Sequence, residues 1–118
     1  TDSPGAATFG DLAKAAGFKN GPFAMESYDA AALILLAMEA TKSSDSQVYK
    51  FAIDEIANAP GEKIYPGELG KALDLVKAGK DIDYVGASAV ELVGGGESAG
   101  NYAQIEVQNG KNETVAYR

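Results

Sequence analysis

Nine consecutive residues, Ala30-Ala31-Ala32-Leu33-Ile34-Leu35-Leu36-Ala37-Met38, are apolar. They lie in a segment, Tyr28 to Ala40, that is expected to be a helix. A surface helix normally keeps one polar face, and this one has almost none, so it must be buried on more than one side. A chain of 118 residues has little material with which to wrap such a helix, whereas a larger α/β lobe would do so easily. The run is also far too short to span a bilayer, which takes about 20 residues. The helix therefore points to a soluble α/β environment larger than the chain itself.

Composition narrows the chemistry. The chain has no Cys and no His. A disulfide framework, a thiol nucleophile, Ser-His and Cys-His catalysis and nearly all zinc sites are thereby excluded. Catalysis would have to rest on carboxylates, Lys or Tyr, and no catalytic residue, metal or cofactor is expected. A net charge of −7 argues against nucleic acid and against an anionic membrane surface, because both need clustered Lys and Arg. A hydrophobic content of 46% with 23% charged residues is that of an ordinary globular chain and not a disordered one. The start, Thr1-Asp2-Ser3-Pro4, carries neither a charged n-region nor an apolar h-region and no initiator Met, so a processed or excised piece of a longer polypeptide is expected.

Helices come first along the chain, and a β-rich tail follows. Phe9, Leu12, Ala13 and Ala16 recur at helical spacing over Thr8 to Ala16, with Gly17 as the C′ residue. Phe23 to Glu26 reads as a short extended piece, and Ser27 as the N-cap of the long helix with Asp29 in its first turn. Ser46 is expected to cap a further helix carrying Val48, Phe51, Ala52 and Ile56, which Pro60-Gly61 stops. Pro66 is placed at N1 of an amphipathic helix with Leu69, Leu73 and Val76 on one face and Gly79 at its end. Beyond Lys80, Ile82 to Val85 and Ala89 to Val93 read as strands, and Gly94 to Gly100 as a connector. Tyr102 to Val107 and Glu113 to Tyr117 read as a hairpin around Asn109-Gly110.

Most of the motifs carry little. Gly94-Gly95-Gly96-Glu97-Ser98-Ala99 fits a loose dinucleotide fingerprint, but that fingerprint needs a following helix, and a strand is expected instead. Asp81-Ile82-Asp83 lacks a third ligand and reads as solvated charge. Asn112-Glu113-Thr114 has the form of a glycosylation sequon beside a turn. Phe23-Ala24-Met25-Glu26-Ser27-Tyr28 is different, because it sets an aromatic ring, a thioether, a carboxylate and a phenol at the approach to a helix N-terminus. In α/β sheets ligands gather outside the carboxyl ends of strands, where helix N-termini converge. Phe23, Met25, Glu26 and Tyr28 are the candidate ligand-binding residues, and the alternative is that Phe23, Met25 and Tyr28 are simply core.

The segment Gly21-Pro22-Phe23-Ala24-Met25-Glu26-Ser27-Tyr28-Asp29-Ala30-Ala31 resembles the corresponding stretch of the leucine/isoleucine/valine-binding protein family, which are type I periplasmic-binding proteins. Pro60 to Leu69 and Asp81 to Ser88 resemble the same family in the same order, and the closing hairpin fits its end. The resemblance implies part of a two-lobed fold with three-layer α/β/α lobes. Residues 1–100 would be the C-terminal part of the first lobe up to the hinge, and residues 101–118 the terminal hairpin of the second. It further implies a periplasmic, extracytoplasmic protein that captures a small ligand, a branched-chain or other apolar amino acid, for the membrane permease of an ABC importer. The rest of its own polypeptide would be its other partner. The same fold also serves as the ligand-sensing domain of receptors and regulators. Only Phe23 inherits a role, in the apolar wall of the ligand pocket, since the main head-group contacts lie upstream. Gly94-Gly95-Gly96-Glu97 departs from the Asp-containing turn common in relatives, which bears on the loop there and not on the fold.

Overall fold

The computed structural model describes residues 2–100 and 102–118. Asn101, the first residue of the expected second segment, lies outside them. Helices α1 (Ala6–Ala15) and α2 (Ala24–Thr41) are followed by a short helix α3 (Ser46–Tyr49), a 3-10 turn (Lys50–Ala52) and α4 (Ile53–Ala57). Strand β1 (Glu62–Ile64), helix α5 (Leu69–Lys77) and strand β2 (Ile82–Tyr84) come next, and then two hairpins, β3 (Leu92–Gly94) with β4 (Glu97–Ser98) and β5 (Ala103–Gln108) with β6 (Lys111–Tyr117). The class is mixed α/β, with helices first and a β-rich tail.

The centre is a β1–α5–β2 unit. Its two strands run parallel, Glu62 opposite Ile82 and Ile64 opposite Tyr84, and parallel neighbours require a crossover such as α5. Helices α2, α4 and α5 pack on and around this pair. Ala32, Leu33 and Leu36 of α2 meet Ile56, Ile64, Ala72, Ile82 and Tyr84 in one buried cluster. A second, smaller cluster joins Phe9 and Ala13 of α1 to Ala87, with Met25 and Tyr28 of α2 packed against it. Asn58, just after α4, ties β3 to the body: its amide donates to the Leu92 carbonyl at 2.8 Å and accepts the Leu92 N–H at 2.9 Å.

The apolar helix is half covered. Its inward residues are buried, while Ile34 and Leu35 remain 38% and 49% exposed on the other side. Burial on more than one side is thus not achieved by the described residues. No helix among them is long and apolar enough to cross a membrane.

Several local expectations change. Phe23 to Glu26 is not extended, because Ala24, Met25 and Glu26 are good helix formers and α2 simply begins at Ala24. Ser27 lies inside the first turn, its N–H donating to the Phe23 carbonyl at 3.0 Å, so it is not the cap. Asp45 rather than Ser46 caps α3, accepting from the Gln47 N–H at 2.9 Å. Helix α5 begins at Leu69 and not at Pro66, since Gly67 has φ +86 and cannot be helical. Ala89 to Val93 shrinks to β3, and the glycine connector is itself a tight hairpin with Gly95 and Gly96 at φ +63 and +83. Strand β1 has no counterpart in the sequence reading. The Asn109-Gly110 hairpin holds, with φ +52 and +76 as a type I′ turn demands.

Candidate functional site

Gly21 and Pro22 end the loop after α1, and Phe23 turns the chain into α2 from the left-handed region at φ +60. No side chain caps the helix there. A bulky residue in that region costs on the order of 1–2 kcal/mol. Nor is Phe23 core, since 77% of it is exposed. A strained aromatic held open to solvent at a helix entry is the kind of outlier that clusters at ligand clamps.

Beneath it the scaffold is tight. The Tyr28 ring sits 5.3 Å from the Phe9 ring at 60°, and its hydroxyl accepts the Gly67 N–H at 3.1 Å. Tyr28 thereby links α1, α2 and the turn before α5. One position further along, Asp29 is buried, and its carboxylate gathers the loop that follows β2. Oδ1 accepts from the Tyr84 hydroxyl at 3.0 Å and the Ala87 N–H at 2.8 Å. Oδ2 accepts from the Ser88 N–H at 2.8 Å and the Ser88 hydroxyl at 2.6 Å. Burial pushes the Tyr84 phenol well above its usual value, and the adjacent Asp29 charge adds to that. Gly86, at φ +64, passes so close that a Cβ there would lie 2.3 Å from Asp29 Oδ1. The Ser3 hydroxyl donates to the Ala87 carbonyl and pins the N-terminal segment to the same loop.

Two depressions open on this scaffold, and Phe23 stands between them. The larger, about 810 Å³, is an apolar groove between α1 and the start of α2, lined by Phe9, Leu12, Phe18, Phe23 and Tyr28 among others. The smaller, about 230 Å³, is formed by Phe23, Glu26, Ser88, Ser98, Gly100 and Tyr102. It lies beyond the carboxyl end of β2, where α/β folds place ligands. Its floor includes Ser88, which Asp29 holds, and Ser98, Ala99, Gly100 and Tyr102 line it from the other side of the chain.

Of the four candidate residues, Phe23 and Glu26 meet in the smaller pocket, and Phe23 and Tyr28 line the larger groove. Met25 faces the Phe9–Ala13–Ala87 cluster instead. Ser88, Tyr102 and the supporting Asp29 escaped the sequence reading. A carboxylate set immediately before the nine apolar residues of α2 was the available signal for Asp29, while the partnership of Phe23 with Tyr102 spans too much chain to leave one. No cluster of His, Cys, Asp or Glu able to hold a metal occurs among the described residues. The shifted surface charges lie elsewhere: Glu62 raises Lys71 across a 2.6 Å contact, and Lys42 lowers Glu39.

No family model matches the chain, and no solved structure matches it. It is similar to the chemotactic signal transduction system substrate-binding protein BasB of Halobacterium salinarum (strain ATCC 29341 / DSM 671 / R1), with 31% identity over 94 residues. The match takes in 79% of this chain and 23% of that protein, so the chain spans about a quarter of its relative's length. The likeness is thus to part of a substrate-binding protein.

Proposed function

We propose that this chain is part of an extracytoplasmic, periplasmic solute-binding protein of the leucine/isoleucine/valine-binding type, which captures a small ligand without transforming it. The similarity to a substrate-binding protein over 79% of the chain carries the reading. The site geometry supports it: an exposed aromatic and a carboxylate at a helix entry, beyond the carboxyl end of a parallel strand, over a scaffold locked by Asp29. The ligand is a branched-chain or other apolar amino acid, and the recipient is the permease of an ABC importer. Residues 1–100 belong to one lobe and the closing hairpin to the other, with the glycine-rich turn near the hinge.

A second reading has the same protein reporting its ligand to a signalling partner, and the relative's chemotactic role favours it. Ligand-dependent co-purification with a membrane permease supports delivery, and with a transducer supports sensing.

Calorimetric titration of the intact protein with leucine tests the binding role. Phe23→Ala is expected to weaken leucine about ten-fold or more, since losing an aromatic contact removes roughly 1.4 kcal/mol or more. The melting temperature stays close to wild type, because an exposed ring contributes little to the core. Unchanged affinity in the folded variant removes Phe23 from the pocket.

A further inference from the structure

The smaller pocket has a chemistry of its own. Two exposed aromatic rings, Phe23 at 77% and Tyr102 at 69%, share it with the Glu26 carboxylate. The Ser88 and Ser98 hydroxyls also line it, and among the described residues no Lys or Arg does. The chain as a whole carries −7. Aromatic faces present negative charge to a cation, and a carboxylate completes the complement of an ammonium group. An anion would meet Glu26 with no countercharge. The opposing influence is the positive end of α2, but that amounts to about half an elementary charge, against the full charge on Glu26 in its first turn.

We propose that this pocket is the site for a positively charged amine, with Glu26 as its counter-ion and Phe23 and Tyr102 as its aromatic walls. The assignment rests on the solute-binding reading above and adds, to the main head-group contacts that the resemblance places upstream, an ammonium contact in this part of the chain. It also gives the ligand a mechanical effect. Phe23 belongs to the entry of α2, whereas Tyr102 is fixed to the closing hairpin through reciprocal backbone hydrogen bonds with Arg118 at 2.8 and 2.9 Å. An amine seated between the two rings ties the hairpin to the helical body across the Ser98–Gly100 connector.

Three probes with similar branched chains test this in the intact protein by calorimetry: leucine, 3-methylbutylamine, which keeps only the ammonium, and 4-methylpentanoate, which keeps only the carboxylate. Glu26→Gln is expected to weaken leucine and 3-methylbutylamine about ten-fold or more while leaving 4-methylpentanoate unchanged, and Tyr102→Leu to weaken both amines about three-fold or more. Glu26 is exposed, so the variant folds, and a thermal melt checks it. If Glu26→Gln leaves leucine within about two-fold of wild type while Phe23→Ala still weakens it, the amine assignment is overturned and the solute-binding reading stands. If wild-type protein takes 4-methylpentanoate but neither amine, the assignment is likewise overturned. Failure of all three probes to bind overturns both.

Discussion

The Asp29 carboxylate accepts four hydrogen bonds, from Tyr84, Ala87 and twice from Ser88, while the residue itself is 1% exposed. A buried charge is tolerable only when so compensated, and the compensation here stitches the second turn of α2 to the loop that floors the smaller pocket. Asp29→Asn keeps the shape but turns an NH2 group toward donors, so the Ser88 N–H loses its acceptor. The expected loss is about 3 kcal/mol, the cost of a charge-assisted bond together with an orphaned buried donor. Urea unfolding of the intact protein measures it, and a change under about 0.5 kcal/mol would mean the network is ornamental. Tyr84 gives the same network a pH signature. Its folded-state phenol is raised above the ordinary value of about 10, so the folded form holds the proton more tightly than the unfolded one. The stability linked to this group is therefore complete below pH 10 and declines as pH rises above it. Tyr84→Phe is expected to flatten that alkaline decline, and an identical slope in the variant would assign the decline to other groups.

At the scale of elements, legibility followed the range of the interactions. Helices α1 and α5 announced themselves through 3.6-residue spacing and the glycines that end them, Gly17 at φ +70 and Gly79 at φ +73. The closing hairpin was readable because Asn109-Gly110 admits few other turns. Strand β1 was not, since three residues, Glu62-Lys63-Ile64, are too few to show alternation and exist as a strand only through pairing with β2. The entry to α2 was misplaced by a local rule. Ser27 has the chemistry of a cap, but Ala24, Met25 and Glu26 extend the helix past it, and Phe23 takes the strained position. The candidate site was half visible for the same reason. Phe23 and Glu26 stood at a recognisable junction, whereas Ser88, Asp29 and Tyr102 acquire their roles from contacts spanning more than fifty residues.

At the scale of the whole molecule, the described residues leave apolar surface open. Its radius of gyration is 15.7 Å, against about 13.5 Å expected for a compact domain of this length. On the closing hairpin, Ile105 and Val107 are 59% and 71% exposed. On the body, Ile34 and Leu35 of α2 are open, and the neighbouring short helical segments add Val48 and Phe51. Exposed apolar groups on adjoining elements mark surface that another part of a protein covers. If the remaining polypeptide of a larger lobe covers this one, residues that look like surface here are core in the intact protein. Leu35→Lys separates the two cases. Were Leu35 true surface, the substitution would change stability by no more than about 0.5 kcal/mol. Were it core, burying an unpaired ammonium in place of a leucine would cost several times that, about 2 kcal/mol or more. We expect the larger loss in chemical denaturation of the intact protein, and little change in the smaller pocket, because Leu35 lies about two and a half helical turns beyond Glu26. A variant as stable as wild type would leave the outer face of α2 in solvent and require another explanation for nine apolar residues in succession.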